Sequence, residues 1–198
     1  MEKLNEALFL LINASAHPNI VALLLAKFLA EYAIFLIPIV LILGWLRSND
    51  SARKTLIMAT VAGLAGLFIN QLIGFIWLHP RPFMVGIGHT LIPHVADSSF
   101  PSDHLTLLWA VSLSFICHRQ CRSMGMMLTL LGIPMAWARI YLGVHFPFDM
   151  VGAAFVAGVS VWFVYKGKRW LVEPIFNLAT SIHVRLFRHL ILRGWVQK

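Results

Sequence analysis

Charged residues are scarce in this sequence: Asp, Glu, Lys and Arg make up 12% of its 198 residues, whereas hydrophobic residues make up 59%. A soluble domain carries charged residues at about 25%. The chain therefore has too few polar side chains to cover a globule in water, which favours an integral-membrane protein. Its length suits one compact bundle, so we predict a single membrane domain over residues 1–198.

The usual markers of a metal site are also missing. The two cysteines, Cys117 and Cys121, match no zinc-binding spacing. No cluster of acidic ligands surrounds the polar motifs, so we predict no bound metal. The 16 basic residues outnumber the 8 acidic ones, a balance that alone would suit nucleic acid. In so hydrophobic a chain it indicates cytoplasmic loops rich in Lys and Arg instead, and no nucleic-acid partner is predicted.

What the sequence does contain is a series of apolar stretches, which predict an all-α bundle of about five transmembrane helices. The predicted spans cover residues 20–46, 56–78, 103–118, 124–140 and 147–165. A helix rises about 1.5 Å per residue, and the hydrocarbon layer is about 30 Å thick. The first two spans are ample by this measure, whereas the third and fourth must borrow flanking residues.

The N-terminal segment has only some features of a signal peptide. Glu2 and Glu6 stand against a single Lys3, and the apolar run that follows is shorter than a secretory core. Leu4–Ala14 is therefore predicted to form a short amphipathic helix that lies at the membrane interface.

The C-terminal tail mixes apolar residues with arginine and histidine over Trp170–Lys198. We expect Pro174 to break this segment early, and we predict a basic amphipathic helix lying on the cytoplasmic face. A sixth span would require burial of Arg185 and Arg188 in lipid, at roughly 2.5–3.5 kcal/mol each.

The distribution of basic residues predicts the orientation of the spans. Lys and Arg concentrate between spans one and two, between spans three and four, and after span five. The positive-inside rule assigns these connections and the C-terminus to the cytoplasm. The N-terminus, the loop His79–Pro101 and the turn Tyr141–Pro147 then face outward, which in a bacterium is the periplasmic side of the inner membrane.

Alternating spans bring polar residues from separate helix ends to one depth on the outer face. The residues predicted to converge there are Arg81, Ser102, His104, Arg139, His145 and Asp149. Solvation by lipid does not require such residues. Two arginines, two histidines and a carboxylate on helix ends that pack together instead predict a site for an anion.

Each residue type has a chemical reason to be there. A guanidinium offers a planar fork of donors that fits phosphate oxygens and stays charged. Ser102 opens a helix whose first backbone N–H groups favour an anion. His145 precedes Asp149 by four residues, so the carboxylate can bind one imidazole nitrogen and leave the other as a nucleophile. His104 is placed to protonate a leaving oxygen.

These residues also form recognisable motifs. Arg81-Pro82, Pro101-Ser102-Asp103-His104 and the run from Arg139 through His145 to Asp149 occur in this order. They resemble the signature of the type-2 phosphatidic acid phosphatase superfamily, KxxxxxxRP, PSGH and SRxxxxxHxxxD. The expected span arrangement of that family covers roughly residues 20–165.

The resemblance implies a role for each residue. His145 would accept the phosphoryl group as a phosphohistidine, and Asp149 would orient it. His104 would act as the general acid and then as the base for water. The phosphate would be held by Arg81, Arg139 and Ser102. No organic cofactor is implied.

The sequence departs from the family pattern at three positions. Gly74 stands where the family has lysine, Ala138 where it has serine and Asp103 where it has glycine. The Asp103 variant is similar to the bacitracin-resistance branch, whose members act on undecaprenyl diphosphate. The implied partner is thus a polyprenyl diphosphate lipid, and the implied product is the monophosphate carrier of cell-wall synthesis. Asp103 should favour the imidazolium form of His104 and would also repel a phosphate placed too close.

Several side chains keep two interpretations. Glu31 lies four residues after Lys27, so the two form either an ion pair inside the bundle or a face from which Glu31 reaches the site. Most other histidines are read as interfacial groups. His79 and His94 have the best prospect of a secondary role toward the substrate, because both lie in the outer loop.

The function also keeps alternatives at this stage. Another lipid phosphatase, acting on phosphatidylglycerol phosphate or lipid A, would need the same site. A lipid phosphotransferase would use the same histidine, and a transporter for a lipid or anion would also carry charges within the membrane. The sequence does not set the oligomeric state.

Overall fold

A computed structural model describes residues 1–197, and within them the chain forms α-helices and no strand. The helices are α1 (Glu2–Ile12), α2 (Ile20–Lys27), α3 (Leu36–Arg47), α4 (Asp50–Ile76), α5 (Asp103–Ile116), α6 (Arg122–Tyr141), α7 (Pro147–Lys166), α8 (Lys168–Leu186) and α9 (Arg188–Leu192). The predicted all-α class is therefore confirmed.

Four helical stretches are long and apolar enough to cross a membrane: Ile20–Arg47, Asp50–Ile76, Arg122–Tyr141 and Pro147–Lys166. The remaining predicted span corresponds to α5, which has 14 residues. At about 1.5 Å per residue α5 is about 21 Å long, shorter than the hydrocarbon layer. It packs against α4, α6 and α7, so it is the central helix of the bundle.

The first span is not the uninterrupted α-helix that its apolar sequence predicts. Between α2 and α3 the chain forms a π-helical turn at Phe28–Tyr32 and a 3-10 turn at Ala33–Phe35. The Ala33 N–H bonds to the carbonyl of Phe28, five residues earlier. Such widened turns change the direction of backbone groups and occur often at functional sites.

Helix α4 begins six residues before the predicted span. The Asn49 side chain accepts a hydrogen bond of 3.1 Å from the Ala52 N–H, which caps the helix and sets its start at Asp50. Arg53 and Lys54, which the charge pattern assigns to a loop, consequently lie inside the helix. Arg53 is fully buried.

Small residues let the central helices approach closely. A Cβ at Gly66 of α4 would lie 2.8 Å from Cγ2 of Thr106 in α5, and one at Gly63 would lie 2.7 Å from Leu107. Small residues at such contacts allow tight packing in membrane bundles. This packing brings the end of α4 and the starts of α5 and α7 to the same end of the molecule.

The N-terminal helix packs on the bundle at that end. Phe9 is fully buried with its ring 5.3 Å from that of Phe146, and Asn5 Oδ1 accepts a 3.0 Å hydrogen bond from the Phe148 N–H. One face of α1 is thus attached to the turn before α7.

The expectation that Pro174 breaks the tail is wrong. Helix α8 continues from Lys168 to Leu186 with Pro174 inside it. Proline removes one backbone hydrogen bond, but Val172 and Phe176 are buried in a cluster with Ile57 of α4, and this packing holds the helix. Helix α8 is not among the helices apolar enough to cross a membrane.

Candidate active site

The turn between α6 and α7 carries a buried histidine–carboxylate pair. Helix α7 begins at Pro147, and Asp149 is its third residue. The Asp149 Oδ2 lies 3.0 Å from His145 Nδ1 and accepts a 2.8 Å bond from the Phe146 N–H. Both side chains are buried. The carboxylate therefore holds the hydrogen of His145 on Nδ1, which leaves Nε2 free of a hydrogen.

Two arginines meet at that second nitrogen. Arg81 Nη1 lies 3.1 Å from His145 Nε2, and Arg139 Nη2 lies 3.3 Å from it. A guanidinium can only donate hydrogen bonds. Nε2 must therefore be the acceptor, which agrees with the tautomer set by Asp149.

Arg81 is held in place by the outer loop and by the turn before α7. Its Nε forms a 2.8 Å ion pair with Asp97, and its Nη1 donates to the Val144 carbonyl at 2.8 Å. A third bond of 3.2 Å runs from Nη2 to the Ser98 carbonyl. The loop 79–101 thus folds around this guanidinium.

Arg139 is held by the first span and by a second loop histidine. Its Nη1 donates to the Ala30 carbonyl in the π-helical turn at 3.2 Å, and its Nη2 lies 3.0 Å from His94 Nε2. His94 Nδ1 lies 3.1 Å from the Val95 carbonyl, so Nδ1 carries the hydrogen and Nε2 accepts. The spacing of charged residues gave no signal for the Ala30 contact, because Ala30 contributes only a backbone carbonyl.

Two buried polar atoms of candidate site residues have no hydrogen-bond partner in the described chain. Ser102 begins α5, and its N–H donates to the Asp149 carbonyl at 3.3 Å, but its buried Oγ has no hydrogen bond. Arg139 Nε is also buried without a hydrogen-bond partner in the described chain. An unpaired buried polar group costs about 1–3 kcal/mol. Both atoms are of the kind that the oxygens of a phosphate would bind.

His104 lies in the first turn of α5, two residues after Ser102. It is half-buried, and its imidazole has no hydrogen-bond partner within the described residues. It lies within electrostatic range of Arg139 and Arg81. The structure thus brings His104 near the arginines but does not join it to the His145–Asp149 pair.

Burial and positive charge act together on the two loop histidines. The pKa of His145 is lowered well below its ordinary value of 6.5, first by burial and then by Arg139 and Arg81. Burial is also the main cause that lowers the pKa of His94. Both imidazoles are therefore neutral at neutral pH, the form in which a histidine is a nucleophile or an acceptor.

A cavity of about 510 Å³ opens beside Arg81, between the end of α4 and the outer loop. Its lining includes the polar residues Arg81 and Asp103 and the apolar residues Leu72 and Phe75. Gly74 also lines it. A cavity lined by both kinds of residue suits a ligand with a charged head and a hydrocarbon tail.

Asp103 is anchored by α4. Its Oδ1 accepts a 2.8 Å bond from Asn70 and its Oδ2 a 3.4 Å bond from Gln71. These amides turn the carboxylate toward the cavity and give it partners other than His104.

The structure separates the two interpretations of Glu31 and shows the contacts of His79. Glu31 lies in the π-helical turn and is within electrostatic range of Arg139. It forms no ion pair with Lys27 among the described residues, so the paired interpretation is wrong. His79 lies behind Asp149, where its Nδ1 is 2.8 Å from Ser99 Oγ.

Comparison with known proteins connects this geometry to a family. The sequence profile of the PAP2 superfamily matches residues 54–173. The chain is 35% identical to the undecaprenyl-diphosphatase BcrC of Bacillus subtilis over 94% of this chain and 95% of that protein. It is 33% identical to the putative undecaprenyl-diphosphatase YbjG of Escherichia coli over 100% of this chain and 99% of that protein.

The fold also matches a solved structure. Crystalline LpxE of Aquifex aeolicus superposes with a TM-score of 0.63 over 82% of this chain and 95% of that chain, at 23% identity. At that identity the likeness concerns the arrangement of the helices.

Proposed function

The chain belongs to the PAP2 superfamily and is a multi-pass membrane phosphatase, and on this premise we propose that it hydrolyses undecaprenyl diphosphate. The products are undecaprenyl phosphate and inorganic phosphate. One observation carries the proposal: His145 is hydrogen-bonded to Asp149 through Nδ1 and directs Nε2 toward two guanidiniums. Such an arrangement places a nucleophile where a phosphoryl group would be held.

The first chemical step forms a bond from His145 Nε2 to the terminal phosphorus. The bond from that phosphorus to the bridging oxygen breaks, and undecaprenyl phosphate leaves with the electron pair. His104 supplies a proton to the leaving oxygen. Arg81, Arg139 and the Ser102 hydroxyl bind the non-bridging oxygens, where negative charge must be stabilised.

The second step restores the enzyme. His104, now neutral, removes a proton from water, and the water oxygen attacks the phosphorus of the phosphohistidine. The N–P bond breaks, its electron pair returns to Nε2, and inorganic phosphate leaves. The carboxylate of Asp149 keeps Nδ1 protonated and stabilises the positive ring of the intermediate.

The substrate assignment rests on the two relatives named as undecaprenyl diphosphatases, which align over nearly the whole chain. The cavity beside Arg81 is consistent with it, because its lining includes the apolar residues Leu72 and Phe75. A polyprenyl tail would stay in hydrocarbon while its head group reaches Arg81.

The proposal includes an orientation in a bacterial inner membrane. The site faces the periplasm, and the C-terminus lies in the cytoplasm, because basic residues concentrate in the connections at the other end of the spans. Phosphate is then released outside, and the carrier lipid returns to cell-wall synthesis. Faster recycling of this carrier would raise resistance to bacitracin.

The test compares lipids and traps the intermediate. Purified full-length protein in detergent is given undecaprenyl diphosphate, phosphatidylglycerol phosphate or lipid A, and phosphate release is measured. In a second experiment the undecaprenyl diphosphate carries a label on its terminal phosphate. The reaction is quenched during turnover, and the labelled residue of the protein is mapped. His145→Ala is the test variant, and His89→Ala is its control because His89 is an exposed histidine of the outer loop.

We expect the undecaprenyl lipid to be the best substrate, with label on His145 and none in His145→Ala. A preference for a glycerolipid or lipid A would overturn the substrate assignment. Label transferred to another lipid instead of water would make the protein a phosphotransferase. Full turnover by His145→Ala would remove the nucleophile from the proposal and reopen a transport function.

A further inference from the structure

A chain of polar contacts continues behind Asp149, away from the arginines. Asp149 uses Oδ2 for both His145 and the Phe146 N–H. Its other oxygen, Oδ1, has a single hydrogen-bond partner in the described chain, the Ser99 hydroxyl at 3.5 Å. Ser99 is fully buried. Within the described chain Ser99 is therefore the residue that can hold Oδ1, whereas His145 and the Phe146 N–H hold Oδ2.

The Ser99 hydroxyl has one hydrogen and several acceptors to choose from. Its Oγ lies 2.8 Å from His79 Nδ1, 3.4 Å from the Pro80 carbonyl and 3.5 Å from Asp149 Oδ1. If Nδ1 lacks a hydrogen, the short contact draws the serine hydrogen toward His79. If Nδ1 carries one, His79 donates to Ser99, and the serine hydrogen is released toward Asp149.

His79 is itself fixed in orientation. Its ring packs edge-on against Trp77 at 5.2 Å and Phe146 at 5.8 Å. Its Nε2 lies 3.3 Å from the Glu2 carboxylate of α1, which can only accept a hydrogen bond. When the ring carries a hydrogen on both nitrogens, it donates to Glu2 and to Ser99, and the contacts then run from Glu2 on the N-terminal helix through His79 and Ser99 to Asp149.

We propose that Ser99 and His79 are positioning residues for the His145–Asp149 pair, with Ser99 holding Asp149 Oδ1 and His79 directing the Ser99 hydroxyl. This inference rests on the proposed function, since it assumes that His145 is the nucleophile. Neither residue touches the substrate. Loss of either should therefore lower kcat and leave KM nearly unchanged.

The experiment uses two amides that each imitate one nitrogen of the imidazole. In His79→Asn the amide lies near the position of Nδ1 and can donate to Ser99. In His79→Gln it lies near the position of Nε2 and can reach only Glu2. Ser99→Ala removes the hydroxyl, and Ser114→Ala is its control, because Ser114 is equally buried but its hydroxyl donates to the Ala110 carbonyl in its own helix.

We expect Ser99→Ala and His79→Gln each to lower kcat on undecaprenyl diphosphate about tenfold, as losses of supporting hydrogen bonds typically do. KM should stay within about twofold of the parent value. His79→Asn and Ser114→Ala should keep most of the parent kcat. The double variant Ser99→Ala/His79→Gln should be no worse than either single variant, because both act through one chain of contacts.

Two readouts separate this role from a loss of packing. Loss of packing would not confine the effect to kcat, and it would not be rescued by His79→Asn while His79→Gln stays impaired. If Ser99→Ala does not fold, the comparison of kcat between His79→Asn and His79→Gln tests the inference alone.

Equal losses of kcat in His79→Asn and His79→Gln would overturn the inference. A parent-like kcat in Ser99→Ala would also overturn it, and so would a loss of kcat in the double variant that equals the product of the two single losses. The same preparations are labelled in parallel. An unmodified His145 in the parent protein would overturn the proposed function and this inference with it. Label on His145 together with an unaffected Ser99→Ala would overturn the inference alone.

Discussion

Two buried arginine–histidine clusters lie near opposite ends of α4, and they differ in what their donors bind. At the start of the helix, Arg53 donates to the carbonyls of Trp45 at 3.0 Å and Gln197 at 2.8 Å, and it lies 3.0 Å from His183 Nε2. The Trp45 indole donates to the other nitrogen of His183 at 3.1 Å. The chain itself supplies these partners, so this cluster joins α3, α4 and α8.

The cluster at the other end uses the same residue types for an open site. Arg81 and Arg139 meet at one nitrogen of His145, while the Arg139 Nε and the Ser102 hydroxyl are buried without a partner in residues 1–197. A buried arginine is thus no indication of catalysis by itself. The difference lies in whether backbone carbonyls and helix ends complete the set of hydrogen bonds.

The largest effect expected from this comparison is on catalysis at Arg139. Arg139→Ala removes a donor to the phosphoryl oxygens and should lower kcat/KM about 100- to 1000-fold. Phosphate release from undecaprenyl diphosphate measures it. Arg53→Ala, at the other cluster, is the control and should keep kcat/KM within about threefold at a temperature where it is folded. Similar activity losses in both variants would contradict the distinction.

Arg53→Ala should instead destabilise the fold. Removal of one member of a buried charged network costs about 3 kcal/mol, because its partners lose their hydrogen bonds. Thermal unfolding in detergent should show a clear fall in midpoint, and proteolysis of the α8–α9 segment should become faster. An unchanged midpoint would show that the Arg53 cluster does not stabilise the bundle.

A smaller effect is expected from the unpartnered hydroxyl at the start of α5. Ser102→Ala removes one hydrogen bond to bound phosphate and should lower kcat/KM about tenfold. Since Ser102 Oγ has no partner within the described chain, stability should not fall. Ser160→Ala is the matched control, a buried serine that bonds to Ala157 in its own helix. Parent-like hydrolysis by Ser102→Ala would place the phosphate elsewhere.

The pH dependence tests the charges around His145. A lowered pKa keeps the imidazole neutral, so activity should persist below pH 6.5 and fail only as the pH falls through the lowered value. Arg81→Gln removes one of the positive charges that cause the shift. The pKa of His145 should then rise, and the acidic limb of the residual kcat/KM should move to higher pH. An unmoved limb would show that another group controls it.

The smallest expected effect is that of chelation. We predict that EDTA leaves phosphate release unchanged, since the proposed mechanism uses arginine donors in place of a metal. Among the described residues no group of three or more His, Cys, Asp or Glu side chains is arranged to hold a metal ion. Inhibition by EDTA that is reversed by added Mg²⁺ would contradict this mechanism.

Much of the candidate site could be predicted because its motifs are short and local. The pairing of His145 with Asp149 follows from a four-residue spacing and from Pro147 at the start of a helix. The same reasoning failed for His183, which looks like an interfacial histidine in the sequence but is buried beside Arg53. Its partner is 130 residues away, and no pattern in the sequence connects the two.

The contacts that support the site could not be predicted from the sequence, for a similar reason. The Ala30 carbonyl binds Arg139 across a separation of 109 residues. This contact depends on a π-helical turn that the apolar sequence does not predict. Ser99 carries no signal at all, since a single serine in a loop is common. His79 and His94 could be placed near the site, but not on opposite sides of it.

The sequence by itself determined the membrane environment, the helical class and the residues of the candidate anion site, because composition, apolar length and short motifs act over a few turns of helix. Tertiary structure decided which donors remain open and which are occupied. That choice depends on the close approach of α4, α5 and α7 and on backbone carbonyls from distant turns. Hydrogen bonds form between whichever groups packing brings within about 3 Å, and packing is a property of the whole bundle.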